Sequence, residues 1–166
     1  MKKSLILSLL LSGVVLTSLT GCTNSSISST PDTTASIQMS QYDASLKMKK
    51  IGGNAISLQD GFAVQVQKMI APTVTPTESD YTTLTSSLTS VKDGLASNIN
   101  ELKTLNAPTA SKAHKDSLLN SLNDYSQKID DMLEASKNSD INKLSEAYNE
   151  FQNSTTALQG VINQIN

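Results

Sequence analysis

Apolar side chains recur along this chain at alternating steps of three and four residues. They do so in four separate runs, each the stripe of one amphipathic α-helix. The first run is Ala44, Met48, Ile51, Ala55, Leu58, Phe62, Val66 and Met69, closed by Pro72. Gly52-Gly53 lies in its middle. Each glycine costs about 1 kcal/mol against alanine in a helix, so the pair predicts a kink or weak point there. The second run opens at Thr75-Pro76-Thr77-Glu78. Thr75 is placed to cap it, Pro76 suits the first helical position, and Glu78 stands where a capping-box acid belongs. Its stripe is Tyr81, Leu84, Leu88, Val91, Leu95, Ile99, Leu102 and Leu105, closing at Asn106-Ala107. Pro108 starts the third run, because the residue before a proline is pushed out of the helical region. That stripe is Leu118, Leu122, Tyr125, Ile129, Met132 or Leu133, and Ser136. Asn138, Ser139 or Asp140 caps the last run, which carries Ile141, Leu144, Tyr148, Phe151, Thr155, Leu158, Ile162 and Ile165.

No alternating strand pattern or hairpin dipeptide competes with this reading. Each segment spans roughly 27 to 32 residues, or about 40–48 Å at the helical rise. The connections are a few residues each, which makes successive helices antiparallel neighbours. A stripe this narrow stabilises no helix alone, so the four must bury their stripes against one another. The expected fold is all-α, an up-down-up-down four-helix bundle over residues 38–166. The alternative is a three-helix bundle of the last three segments, with the first helix loosely docked or paired with a partner.

Ahead of the bundle the pattern changes. Lys2 and Lys3 precede an uncharged run from Leu5 to Leu19. That run has the length of a secretory leader and falls short of the ~20 apolar residues of a spanning helix. An uncleaved N-terminal membrane helix is the competing reading, and the short span disfavours it. Leu19-Thr20-Gly21-Cys22 follows. It resembles the lipobox of bacterial lipoproteins, with apolar, small and small residues ahead of the cysteine. The resemblance implies a signal peptide over residues 1–21, cleavage after Gly21, and a diacylglyceryl thioether on Cys22 as the new N-terminus. Two acyl chains hold firmly where one binds reversibly, since each buried methylene contributes about 0.8 kcal/mol. Ordinary cleavage would instead leave an odd free thiol in a secreted protein. Thr23 to Ser36 holds nine Ser or Thr among fourteen residues, with Pro31. It carries too little apolar surface to offset its chain entropy. Residues 22–37 are therefore expected to be the lipidated cysteine and a disordered tether, holding the domain roughly 20 Å from its anchor.

Charge narrows the partners. The leader takes Lys2 and Lys3, leaving 11 of the 13 basic residues against all 15 acids, a mild net −4. That sign argues against nucleic acid and against a polybasic membrane patch. There is no Arg, while Lys, Asn, Ser and Thr are abundant. This composition points to an AT-rich genome and a low-GC Gram-positive source. With Cys22 acylated, disulfide, thiolate and zinc–cysteine chemistry are unavailable.

Candidate chemistry is sparse. His114, the single histidine, lies between Lys112 and Lys115 with no Glu-x-x-His or His-x-x-x-His spacing. It reads as a partly exposed helix residue. Asp124, Asp130, Asp131 and Glu134 gather toward the end of the third helix. Oxygen ligands there suit calcium or magnesium, which makes Asp130, Asp131, Glu134 and His114 weak metal candidates. No glycine-bearing calcium loop accompanies them, and the plain reading is a solvated face with Lys128 pairing to Asp124 and Asp131. Tyr81, Tyr125 and Tyr148 fall on stripes and read as core, each hydroxyl reaching the edge. Gly-rich phosphate loops, serine elbows and Cys–His pairs are absent. The expectation is a protein that is not an enzyme and has no cofactor.

Leu105-Asn106-Ala107-Pro108, His114-Lys115, Leu118 and Leu122 are similar to a stretch of small helical lipoproteins of Gram-positive bacteria. That likeness implies a helical hairpin over residues 102–125 and transfers no activity. The sequence thus predicts a non-catalytic lipoprotein on the extracytoplasmic face of the cell membrane. It is held by lipid on Cys22 and serves as a binding or scaffold module for a protein or cell-wall partner. A small-ligand or metal-binding surface lipoprotein is the alternative.

Overall fold

Each predicted stripe is buried except at Leu58, Ile141 and Thr155, which are half-buried. In a computed structural model, which describes residues 39–166, Ala44, Met48, Ile51, Ala55, Phe62, Val66 and Met69 line the inner face of the first segment. Leu84, Leu88 and Leu95 do so in the second, Leu118, Leu122, Tyr125 and Ile129 in the third, and Leu144, Phe151 and Leu158 in the fourth. The leader, Cys22 and the tether lie outside the described residues.

The helices are α1 (Gln41–Ser57), α2 (Ala63–Met69), α3 (Glu78–Thr104), α4 (Lys112–Lys137) and α5 (Ile141–Gln164). Short 3₁₀ turns, Leu58–Gly61 and Thr109–Ser111, precede α2 and α4. No strand occurs among the described residues. The bundle order is cyclic: α3 packs on α4, α4 on α5, and α1 fits between α3 and α5, with α2 continuing along the same groove. This is the four-helix arrangement, with α1 and α2 together forming its first rod. The four stripes meet in one continuous core.

The first rod breaks in a different place from the one the glycine pair suggests. α1 runs unbroken through Gly52-Gly53 and ends at Ser57. Gly52 faces inward, where a Cβ would stand 2.6 Å from Ile162 Cγ1 and 3.4 Å from Leu118 Cδ1. Glycine is thus what lets α1 approach α5 and α4 so closely, while Gly53 is exposed with open space around it. The break falls at Leu58–Gly61, where Asp60 and Gly61 are both poor helix formers. Leu58 rests there on Gly94 of α3, its Cδ2 3.1 Å from the position a Cβ would take. Beyond the turn, Phe62 enters the core edge-on to Phe151, with ring centroids 5.2 Å apart. Tyr125 lies 4.8 Å from the same Phe151 ring. Such pairs favour tilted and T-shaped geometry.

The second helix also starts later than expected. Its N-cap is Thr77, with Asp80 completing the capping box, and neither Thr75 nor Glu78 takes those roles. Pro76 therefore lies outside the helix. The slip is two residues: Thr77 has the extended backbone a cap requires, and the acid three residues beyond it is Asp80. At the last turn, Asp140 is the cap, accepting from the Lys143 amide. Ser139 takes the left-handed conformation, φ 53°, that lets α4 and α5 fold back after so short a link.

Candidate functional site

The break in the first rod opens a cleft of about 530 Å³ between the Leu58–Gly61 turn, α2 and the start of α3. Its floor is apolar, with Phe62 and Met69 reaching the core. α2 alternates its faces: Val66 and Met69 turn inward, whereas Val64 is 75% exposed at the mouth, near the partly exposed Val74. Asp60, Lys68 and Asp80 supply charge around this apolar floor. The walls are tied by side chains. Gln65 Nε2 donates to the Asp80 carbonyl at 3.1 Å, and Gln67 Nε2 donates to the Tyr148 hydroxyl at 2.9 Å. Asp80 is engaged in its cap. The Thr77 amide donates to Asp80 Oδ2 at 2.8 Å and the Thr77 hydroxyl at 2.7 Å, and these bonds hold the carboxyl below its ordinary value. Among the described residues, no Ser, Cys or His lines this cleft. Its chemistry is that of an amphiphilic contact surface: an apolar floor with one cation and two anions.

The acidic residues of α4 separate rather than converge. Asp130 pairs with Lys92 on α3, and Asp131 and Glu134 face α5. Beside α5 they line a shallow groove of about 320 Å³ with Glu146, Glu150 and Lys143. Lys128 contacts Glu150 at 2.7 Å and Asp131 at 3.7 Å. Its nearest partner is therefore Glu150 across the helix pair, with the expected Asp131 the second and Asp124 contributing only through its field. The bond to Glu150 raises the Lys128 pKa. His114 is half-buried in the first turn of α4, sixteen residues before Asp130 and so about 24 Å away along the helix. Among the described residues, no group of three or more His, Cys, Asp or Glu is arranged to hold a metal ion. A third hollow, about 250 Å³, lies beside Leu105–Thr109 but is not lined by His114.

Neither a protein-family model, nor a curated protein, nor a solved structure matches the chain.

The tyrosines divide by stripe. Tyr125 is fully buried, and Tyr81 and Tyr148 nearly so, while Tyr42 is 75% exposed. The Tyr125 hydroxyl has no hydrogen-bond partner. Burial pushes this phenol far up. The nearby Thr155 side chain lowers it in part, and the charge of Asp60 adds to the rise. The cleft is not legible in the stripe from Ala44 to Met69, whose expected weak point is Gly52-Gly53 and not Leu58–Gly61. Asp60-Gly61 was the available signal. Sequence reasoning also missed that Lys115 caps the end of α3, its Nζ donating to the Lys103 and Leu105 carbonyls at 2.9 and 2.7 Å. Cations suit a helix C-terminus for this reason.

Proposed function

We propose that this protein is a lipid-anchored, non-catalytic lipoprotein of the extracytoplasmic membrane face, acting as a binding or scaffold module for a protein or cell-wall partner. The observation that carries the reading is the Leu19-Thr20-Gly21-Cys22 lipobox behind Lys2-Lys3 and an uncharged fifteen-residue run, with Cys22 the sole cysteine. The bundle supports it indirectly. Its stripes are consumed by one another, and among the described residues only Tyr42, Leu46, Val64 and Val74 are large exposed apolar side chains. No helix among the described residues is long and apolar enough to cross a membrane. On this reading, attachment rests on the acyl chains.

The test is mass spectrometry of the mature N-terminus together with fractionation of a Cys22→Ala variant. Acylated Cys22, and release of the variant from membranes, are the expected results. An unacylated chain beginning elsewhere refutes the anchor. Partner capture from gently solubilised membranes tests the module. Repeated recovery of no protein or wall polymer refutes that half.

A second reading, a small-ligand lipoprotein, is favoured by one observation, the 530 Å³ cleft with its apolar floor and charged rim. A ligand bound only by the native state raises the melting temperature by mass action. Saturable stabilisation by an amphiphile, lost in Val64→Asp, supports it. A flat response across amphiphiles and divalent cations removes it.

A further inference from the structure

The mature chain is acidic, but its charge is not evenly spread. α1 carries Lys47, Lys49 and Lys50 against a single acid, Asp43, all exposed. Among the described residues it is the one long helix with net positive charge. Its outer face also holds Tyr42, 75% exposed, and Leu46, 56% exposed, two of the four large exposed apolar side chains among the described residues. Tyr42, Leu46, Lys49 and Gly53 follow one another at steps of four, three and four, so they share the side opposite the buried stripe. Lys50 stands one turn beyond Leu46. Asp43 is turned to the helix start, where its carboxylate accepts from the hydroxyl of the N-cap Ser40 and its amide donates to the same oxygen.

The rest of that end of the bundle agrees. The Ser45 hydroxyl bonds the main-chain oxygen of Asn166, and Lys115 bonds the end of α3, so the start of α1 shares one end with the C-termini of α3 and α5. Lys103, Lys112 and Lys115 stand there too, against Glu101 and Asp116. The opposite end holds the Asp131, Glu134, Glu146 and Glu150 groove. Eighteen residues lie between Cys22 and Gln41, a span of at most about 65 Å. In sequence, α1 is the first described helix after Cys22.

We infer that the outer face of α1, with Tyr42 and Leu46 flanked by Lys47, Lys49 and Lys50, docks on the anionic phospholipid headgroups of the membrane in which Cys22 is anchored. The inference rests on the anchored reading above. Lysines near an anionic surface are attracted within a Debye length, and interfacial aromatic and aliphatic groups add apolar contact. Anchoring converts this weak contact into an intramolecular one, at high effective concentration. Docking would lay the bundle along the membrane and turn α4 and its acidic groove outward.

The test separates docking from acylation by supplying the anchor chemically. The mature chain, residues 22–166, is coupled through its only thiol, Cys22, to a maleimide phospholipid in vesicles. One set is phosphatidylcholine alone, and the other contains three parts in ten phosphatidylglycerol. Acetylation of each lysine by a neutral amine reagent is then followed by mass spectrometry. Lys47, Lys49 and Lys50 are expected to react roughly threefold or more slowly on the anionic vesicles. Lys137 and Lys143 should be unchanged, and 0.5 M salt should restore the rates. A Tyr42→Ser/Leu46→Ser variant should lose part of the protection. Equal rates on both vesicles overturn the inference, as does equal slowing at Lys137 and Lys143. Protection on phosphatidylcholine that grows with protein density assigns the face to a second copy and also overturns it. None of these outcomes bears on whether the cell acylates Cys22, which the N-terminal mass decides.

Discussion

Gly52 and Gly53 are adjacent, helical and indistinguishable by propensity, yet replacing each by alanine should move stability in opposite directions. At Gly53 an added Cβ meets nothing within 4 Å. Only the backbone effect remains, a gain of about 0.5–1 kcal/mol from reduced unfolded-state freedom and better helix propensity. At Gly52 the same gain is opposed, because the Cβ would stand 2.6 Å from Ile162 Cγ1 and 2.7 Å from its Cδ1. Ile162 must leave its rotamer or α1 must back away from α5, and overpacking of this kind costs about 1–3 kcal/mol. The two variants should therefore differ by about 2 kcal/mol, with Gly53→Ala the more stable. For a domain of this size that is a gap of roughly 6–8 °C in Tm. Thermal unfolding of the 22–166 chain carrying Cys22→Ala, followed by circular dichroism at 222 nm, measures it. A double-mutant cycle locates the cause. With Ile162→Ala in place, Gly52→Ala should become neutral or stabilising, because its opponent is gone. If Gly52→Ala is as stable as Gly53→Ala, or if Ile162→Ala leaves its cost unchanged, close approach of α1 to α5 is not what glycine provides.

Three other outcomes follow from buried or capping groups. Ser136 donates to the Tyr81 carbonyl at 3.1 Å and shares a 2.9 Å bond with Thr85, joining α4 to α3, so Ser136→Ala should lower stability by about 1–2 kcal/mol in urea unfolding. Tyr125→Phe removes a hydroxyl without a partner, and should change stability at pH 7 by less than about 1 kcal/mol. Its effect appears in alkali. The folded phenol holds its proton above the ordinary value of 10.0, so stability falls as pH rises past that value, and the variant should fall less steeply, Tyr81 and Lys128 keeping part of the slope. Thr77→Ala breaks the α3 capping box and should lower Tm by roughly 3–5 °C at pH 7. Asp80 titrates below its ordinary 3.8 when folded, so the cap contributes above that pH and is lost as pH falls through the lowered value. Parent and variant melts should converge in acid; a constant gap down to pH 2 refutes the assignment.

Much of this molecule was written in the period of its apolar residues. Leu84, Leu88, Leu95, Leu118, Leu122, Leu144, Phe151 and Leu158 fall where a 3.6-residue repeat puts them, and all are fully buried. That legibility has a simple cause: burial of a narrow stripe is a local property repeated down a helix. With short links and four stripes, the bundle follows.

What the sequence left open depends on neighbours distant in the chain. The role of Gly52 is set by Ile162 and Leu118, and the seat of Leu58 by the room Gly94 leaves. Asp130, Asp131 and Glu134 are close in sequence, but only the packing of α4 sends the first to Lys92 and the others toward α5. Lys128 had two acids within one turn, yet the across-bundle Glu150 is its nearest partner. Propensity is weak, of order 1 kcal/mol per residue, and one tertiary contact is as large. Where the two compete, the tertiary contact decides, and that contact exists only once the helices have met.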